Sequence, residues 1–278
     1  YLFKLIFFLC HNLCKDTGIK KFFKKNQCYF MYLILQNSCF LVSSLKNAKK
    51  MKGLQNLFNL FYPDVCVCCD QYLLDQEKIV CIECRLDLPF IDNSDITSNP
   101  LIQTLEGRVF LEKGASFLYY HPTGKVKKLI HQLKYKNNEK VGVFLGEWFG
   151  QQLLETNSFS NIDFIIPVPL HKDKFRLRGY NQLTTFGKSL SSILNIEYLE
   201  GVLIRNTAAK TQTFKKRVER FKSLMNNFSI KNTVALKDKH VLLIDDVVTT
   251  GATLETCCIE LLKVENLKIS VVTIALTE

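Results

Sequence analysis

The sequence has no internal repeat and no low-complexity tract, which excludes a repeat array. Its first fifty residues have no Pro, no Glu and no Arg, and set nine lysines against one acid, Asp16, a charge of +8. The rest of the formal net charge of +11 is only +3, from 28 basic and 25 acidic residues over 51–278. A body so nearly neutral lacks the surplus that would imply a general polyanion-binding surface. The apolar stretch 29–45 is 17 residues, at the short limit for a membrane span, and Gln36, Asn37 and three serines dilute it. No small-residue cleavage site follows it, which tells against a signal peptide. Ordinary protein character begins at Met51. Residues 1–50 are read as an upstream extension, with a membrane segment as the rival reading and a targeting peptide as the third. Membrane contact is expected only if this segment belongs to the working protein.

Hydrophobic residues make up 47% of the chain, enough for a sizeable core and too many for a disordered polypeptide. The length suits one full domain plus a small module. Eleven cysteines would suit a disulfide framework. Four of them (Cys10, Cys14, Cys28, Cys39) lie in the extension, however, and four more fall at metal-ligand spacing. A reducing, cytoplasmic compartment fits better.

Periodicity supplies the outline. Leu54, Leu57, Phe58 and Phe61 share one helical face, ended by Pro63, and a cysteine module follows to about residue 90. Residues 51–92 are thus a helix plus this module. Polar residues 91–107 read as a linker or loop. Residues 108–120 read as two short strands around Lys113-Gly114. Helical stripes follow over 123–135, 140–154 and 180–194. The apolar runs Phe164-Ile165-Ile166 and Val241-Leu242-Leu243-Ile244 read as buried parallel strands. A helix over 252–264 and a strand over 268–276 complete the pattern. Strands alternating with helices predict an α/β domain over 108–278, with a mostly parallel sheet flanked by helices.

Two loops carry the chemistry. The first follows strand 241–244: Asp245, Asp246, Val247, Val248, Thr249, Thr250, Gly251, Ala252, Thr253. An apolar strand delivers two carboxylates at its carboxyl end, where ligands bind in open α/β sheets. Gly251 lets the backbone bend around an anion, and the amides of 250–253 open a helix whose partial positive charge favours phosphate. Paired carboxylates suit two ribose hydroxyls or a Mg²⁺ ion, a hard cation that prefers oxygen. Sugar on one side and phosphate on the other describe a ribose 5-phosphate. Acids that merely end a strand and threonines that merely cap a helix are the bland alternative. The second loop follows strand 164–166. After Pro167-Val168-Pro169 it gathers His171, Lys172, Lys174, Arg176 and Arg178 against one acid, Asp173. Such a cluster suits a pyrophosphate, with arginine forks giving bidentate contacts, and Lys172, Arg176 and Arg178 are the catalytic candidates. A solvated basic loop is the alternative.

Cys66-x2-Cys69 and Cys81-x2-Cys84 are paired knuckles that fit a tetrahedral thiolate site for structural Zn²⁺. A module of about 25 residues buries too little apolar surface to fold unaided, so a metal would supply folding energy. Cys68 is a spare thiol.

These residues carry a resemblance. Two acids followed by Thr249-Thr250-Gly251-Ala252-Thr253 look like the signature loop of type I phosphoribosyltransferases. The resemblance implies that Asp245 and Asp246 hold ribose hydroxyls and that Val248 to Thr253 hold the 5′-phosphate of phosphoribosyl pyrophosphate with Mg²⁺. Pro167-Val168-Pro169 resembles the amidophosphoribosyltransferase version of the pyrophosphate loop. The run Arg176-x-Arg178-Gly179-Tyr180-Asn181-Gln182 resembles the ComF family of competence-associated proteins. So do Leu133-Lys134-Tyr135, Arg205-Asn206-Thr207, Thr211-Gln212 and Arg217, the last stretch falling where that family's flexible catalytic loop would lie. A four-cysteine module before a phosphoribosyltransferase-like domain is that family's layout, and the resemblance spans about residues 54–278.

Two functions are compatible with this pattern. One is phosphoribosyl transfer, in which the protein positions reactants and neutralises charge; no particular general base or acceptor is visible. The other is a non-catalytic accessory in DNA uptake that binds single-stranded DNA, with Phe175 and Tyr180 as stacking candidates, or docks a competence helicase.

Overall fold

Apolar runs that continue through both alternating positions of a strand need cover on both faces, and three of them find it in one five-stranded sheet. The computed structural model describes residues 63–95, 99–135, 138–170, 172–206, 228–231 and 233–278. The chain divides after Pro63, and every element below lies in the compact unit Asp64–Glu278. The strands are β1 (Lys113–Tyr120), β2 (Phe164–Pro167), β3 (Glu197–Tyr198), β6 (His240–Val248) and β7 (Lys268–Thr277), in the order β1-β7-β6-β2-β3. Every neighbouring pair is parallel. Val241, Leu242, Leu243 and Ile244 are fully buried in β6, as are Ile165 and Ile166 in β2. Burying each such side chain contributes about 1.5–3 kcal/mol. A separate antiparallel pair joins β4 (Leu203–Arg205) to β5 (Phe228–Ile230). The fold is an α/β one, with a mostly parallel sheet flanked by helices.

The helices are α1 (Ile82–Leu86), α2 (Pro100–Leu105), α3 (Lys125–Tyr135), α4 (Glu139–Glu155), α5 (Lys172–Arg178), α6 (Leu183–Leu194) and α7 (Ala252–Leu261). The expected stripes are the buried ones: Val126, Leu129, Ile130 and Leu133 in α3, and Leu183, Phe186 and Leu190 in α6. In α4, Leu145 and Phe149 are buried, while Phe144 and Trp148 are partly covered. Phe149 stacks on Phe117 of β1, with ring centroids 4.8 Å apart. The cysteine module docks through Arg85 of α1, whose guanidinium lies over the rings of Phe144, at 5.0 Å, and Trp148, at 5.8 Å.

Three expectations are corrected. Of residues 108–120 only Lys113–Tyr120 form a strand, one rather than two, because Gly114 lies inside β1 against Ile102; a Cβ there would sit 2.7 Å from the Ile102 Cδ1. The polar stretch 91–107, read as a linker or loop, holds the helix Pro100–Leu105 and two buried asparagines. Asn93 donates to the Ser116 carbonyl of β1, Asn99 donates to Asn93, and Asn99 caps α2 through the Leu101 amide. The basic stretch 172–178 is a helix, α5, rather than a loop. The readings for residues 1–50, the helix over 52–62, His171 and the 207–217 stretch lie outside the described residues.

Glycines at a spacing of four let α4 lie close against α6. A Cβ on Gly146 would come within 2.6 Å of the Phe186 carbonyl oxygen, and one on Gly150 within 3.0 Å of the Ile193 Cβ. A carbonyl of a buried helix cannot swing aside, so overpacking, typically about 1–3 kcal/mol, exceeds the gain in helix propensity of up to about 1 kcal/mol. Gly146→Ala is expected to lower the urea midpoint. Gly124→Ala, where the nearest atom stands 3.5 Å away, is expected to leave it unchanged.

Candidate functional site

The sheet order creates a crevice. From β2 the chain runs through α6 to β3 on one side; from β6 it runs through α7 to β7 on the other. Because β2 and β6 are parallel neighbours, their connections leave in opposite directions, and the two chemistry-bearing segments meet at the carboxyl ends of these strands.

The segment after β6 is tightly determined. The strand continues past the acid pair to Val248, which pairs with Leu276 of β7, so Asp245 and Asp246 lie within the strand rather than beyond it. Thr249 and Thr250 are exposed, Gly251 is buried, and Ala252 and Thr253 are exposed on the first turn of α7. Gly251 caps that helix in the left-handed region at φ 72°. A Cβ there would also meet the Leu105 Cδ2 at 2.8 Å and the Arg108 Nη2 at 2.9 Å. Both conformation and space therefore require glycine at this position. Arg108 clamps the turn. Its Nη1 and Nη2 both donate to the Thr250 carbonyl, Nη2 also donates to the Thr104 carbonyl at 3.0 Å, and Nη1 pairs with Glu255 at 3.2 Å. Sequence reasoning missed Arg108, because its partner lies 142 residues away and nothing local marks it.

The acid pair is divided in its surroundings. Asp246 is 6% exposed; its Oδ1 meets the Lys134 Nζ at 2.8 Å and its Oδ2 accepts from the Gln182 Nε2 at 2.6 Å. Asp245 is partly buried, and its Oδ1 accepts from the Asp246 amide at 2.8 Å. Burial, followed by the adjacent Asp246 carboxylate, pushes the Asp245 carboxyl up to about 7, against the opposing pull of Lys134 and Arg205.

The basic segment only partly converges on this pair. Arg178 donates from Nη1 to the Gln182 Oε1 at 2.8 Å and lies over the Tyr135 ring at 4.9 Å. Arg176 is exposed on α5, and the side chain of Lys172 is outside the described residues. Tyr180 is partly buried and donates to the Leu133 carbonyl, so its hydroxyl end is engaged within the fold. Phe175 stands 49% exposed. Lys134 and Gln182 were visible as parts of motifs but had no role assigned from sequence.

Cys66, Cys69, Cys81 and Cys84 bring their sulfurs within 4.8 Å of one another, and those of Cys69 and Cys81 are 3.6 Å apart. Tetrahedral bonds of about 2.3 Å to one ion separate thiolates by roughly 3.8 Å, so the set fits a single metal. The Cys66 sulfur accepts from the amides of Cys68, at 3.4 Å, and Cys81, at 3.3 Å. Burial opposes its ionisation, yet these amides and that of Cys69 outweigh burial and bring its thiol down to about 6. Cys68 stands outside the set, with its sulfur 4.0 Å from the Lys125 carbonyl, and burial pushes its thiol up to about 12. Cys257 and Cys258 are buried in α7 as packing.

Residues 184–277, from α6 to β7, match the family model for a phosphoribosyl transferase domain. "Competence protein F" of Haemophilus influenzae is 39% identical over 93 residues, 32% of this chain and 40% of that protein. The chain is thus similar to competence proteins over part of its length, and residues 184–277 are similar to a phosphoribosyl transferase domain. The "DNA utilization protein YhgH" of Escherichia coli O157:H7 is 30% identical over 128 residues, 45% of this chain and 56% of that protein. The chain thus spans about half the length of the curated relatives it matches. Among solved structures, the glutamine phosphoribosylpyrophosphate amidotransferase from B. subtilis is 16% identical with a TM-score of 0.35, covering 51% of this chain and 30% of that one. Among the described residues, no helix is long and apolar enough to cross a membrane.

The raised Asp245 carboxyl has a consequence for stability. In the unfolded chain it ionises near 3.9, and in the fold near 7, so its ionisation costs folding free energy as pH rises from about 4 to about 7. The cost is complete above that window. Asp245→Asn is therefore expected to raise the melting temperature at pH 8, by roughly 2–4 °C per kcal/mol relieved, and to leave it unchanged at pH 3.5.

Proposed function

We propose that the crevice between β2 and β6 binds a ribose phosphate such as phosphoribosyl pyrophosphate. The observation that carries this reading is the turn 249–253: exposed threonines and a left-handed Gly251 open α7 directly after the acid pair, at the sheet's switch point. The 5′-phosphate sits on the amides of the turn, and the sugar hydroxyls lie towards Asp245. Mg²⁺ would be held by Asp245 and the ligand's own oxygens, since Asp246 already has both oxygens engaged. When bound, that ion neutralises charge on the phosphates. The protein's own part is to fix the sugar phosphate, with Lys174 and Arg176, both exposed on α5, facing a pyrophosphate. In catalytic form this is phosphoribosyl transfer, with the acceptor unassigned. Zn²⁺ closes the four-cysteine site as a structural ion, and the compartment is reducing and cytoplasmic, in keeping with four thiols at metal spacing.

Calorimetry on the full chain tests the ligand. Phosphoribosyl pyrophosphate is expected to bind with Mg²⁺ and not to bind the Asp245→Asn/Asp246→Asn variant. Affinity should rise with pH through about 7 as Asp245 ionises. A folded, metal-loaded chain that binds none would overturn the reading. For the metal, mass spectrometry under native conditions should find one zinc per chain, and Cys84→Ser or a strong chelator should sharply lower the melting temperature.

A second reading is favoured by one feature: exposed Phe175 stands between exposed Lys174 and Arg176 on α5, an aromatic beside cations that suits stacking on single-stranded DNA. The relatives' names, DNA utilization and competence, point the same way. A helicase partner belongs to this reading. Strand binding should weaken steeply between 50 and 200 mM salt, by about tenfold for every two to three phosphate contacts made, whereas the sugar-phosphate site should respond far less.

A further inference from the structure

We propose that Lys134 and Gln182 are positioning residues that pin Asp246 and, through it, the sugar-facing Asp245. In this arrangement the stretches 133–135 and 178–182 work as one device beneath the ligand rather than as a pyrophosphate grip. The inference rests on the ribose-phosphate reading and gives those two stretches a task within it.

Asp246 is almost wholly removed from water, and an unpaired carboxylate there would be strongly destabilising. The Lys134 Nζ supplies the opposite charge at 2.8 Å to one oxygen. The Gln182 amide supplies a donor at 2.6 Å to the other. The orientation of that amide is not free: its Oε1 accepts from the Arg178 Nη1 at 2.8 Å, which turns Nε2 towards Asp246. Arg178 is in turn stacked on the ring of Tyr135, the neighbour of Lys134, and Tyr180 donates to the carbonyl of Leu133, the other neighbour. The last turn of α3 and residues 178–182 thus close a ring of contacts around one carboxylate. The final link runs along the backbone. The Asp246 amide donates to the Asp245 Oδ1 at 2.8 Å, so fixing Asp246 fixes the orientation of the acid that meets the sugar. A held carboxylate loses little freedom when ligand arrives, and that preorganisation strengthens binding.

The test uses the full chain and the variants Lys134→Met, Lys134→Arg, Asp246→Asn, Gln182→Met and Lys134→Met/Asp246→Asn. Melting temperature and calorimetric affinity for phosphoribosyl pyrophosphate with Mg²⁺ are measured on each. Lys134→Met should melt lower than wild type, and adding Asp246→Asn should recover much of the loss, because no orphan charge then remains. Affinity should fall at least tenfold in Lys134→Met and return in large part in Lys134→Arg. Gln182→Met keeps the ion pair and so serves where Lys134→Met does not fold; a fall of about fivefold is expected. Additive melting shifts in the cycle would overturn the pairing. Wild-type affinity in folded Lys134→Met or Gln182→Met, with ligand bound normally by the wild type, would overturn the positioning role alone. A wild type that binds no ligand removes the ribose-phosphate reading, and this inference with it.

Discussion

The parallel pairing of β2 with β6 is the constraint from which the rest follows. Two parallel neighbours whose runs 165–166 and 241–244 are apolar and fully buried carry their polar side chains only beyond those runs. Because the connections from the strand ends run to opposite sides, the space above them stays open. A turn of exposed threonines lines one wall of that space and the end of β2 lines the other. The chemistry is thus located by topology before any side chain is considered, and the side chains then decide what charge the space will accept.

That charge is arranged in two tiers. Asp246 lies deep and is answered by a cation and an amide; Asp245 lies nearer the surface and is answered only in part, so burial holds its carboxyl near neutrality. A site that leaves one acid under-compensated is less stable without its ligand than it would otherwise be, a common cost of binding sites. The turn itself is held from behind by Arg108, whose guanidinium fills the space that a side chain at position 251 would need.

Local pattern made the framework legible. The runs 164–166 and 241–244 read as buried strands, the stripes of α3, α4 and α6 as helices, and the paired Cys-x2-Cys spacing as a cluster, because each signal is contained within a few residues. What escaped depended on distant partners. Gly114 looked like a break and is instead a close approach of β1 to Ile102. Asn93 and Asn99 have loop composition, yet they are buried because Ser116 of β1 gives Asn93 a partner and Asn93 gives one to Asn99. The charges of 172–178 masked a helix. Of the candidate site, the turn and the acids were legible. Arg108, and the grip of Lys134 and Gln182 on Asp246, were not, since hydrogen bonds across 64 and 142 residues leave no periodic trace.

Helix α3 touches both ends of the molecule's chemistry. Its first turns send Lys125 to Asp87 and Lys128 to Asp70 of the cysteine module, and its last turn sends Lys134 to Asp246. Its 11 residues span about 16 Å, so one rigid rod carries both attachments. The module and the sheet are therefore not interchangeable parts. A hybrid that joined this module to the sheet of a distant relative would inherit an α3 fitted to only one of its neighbours.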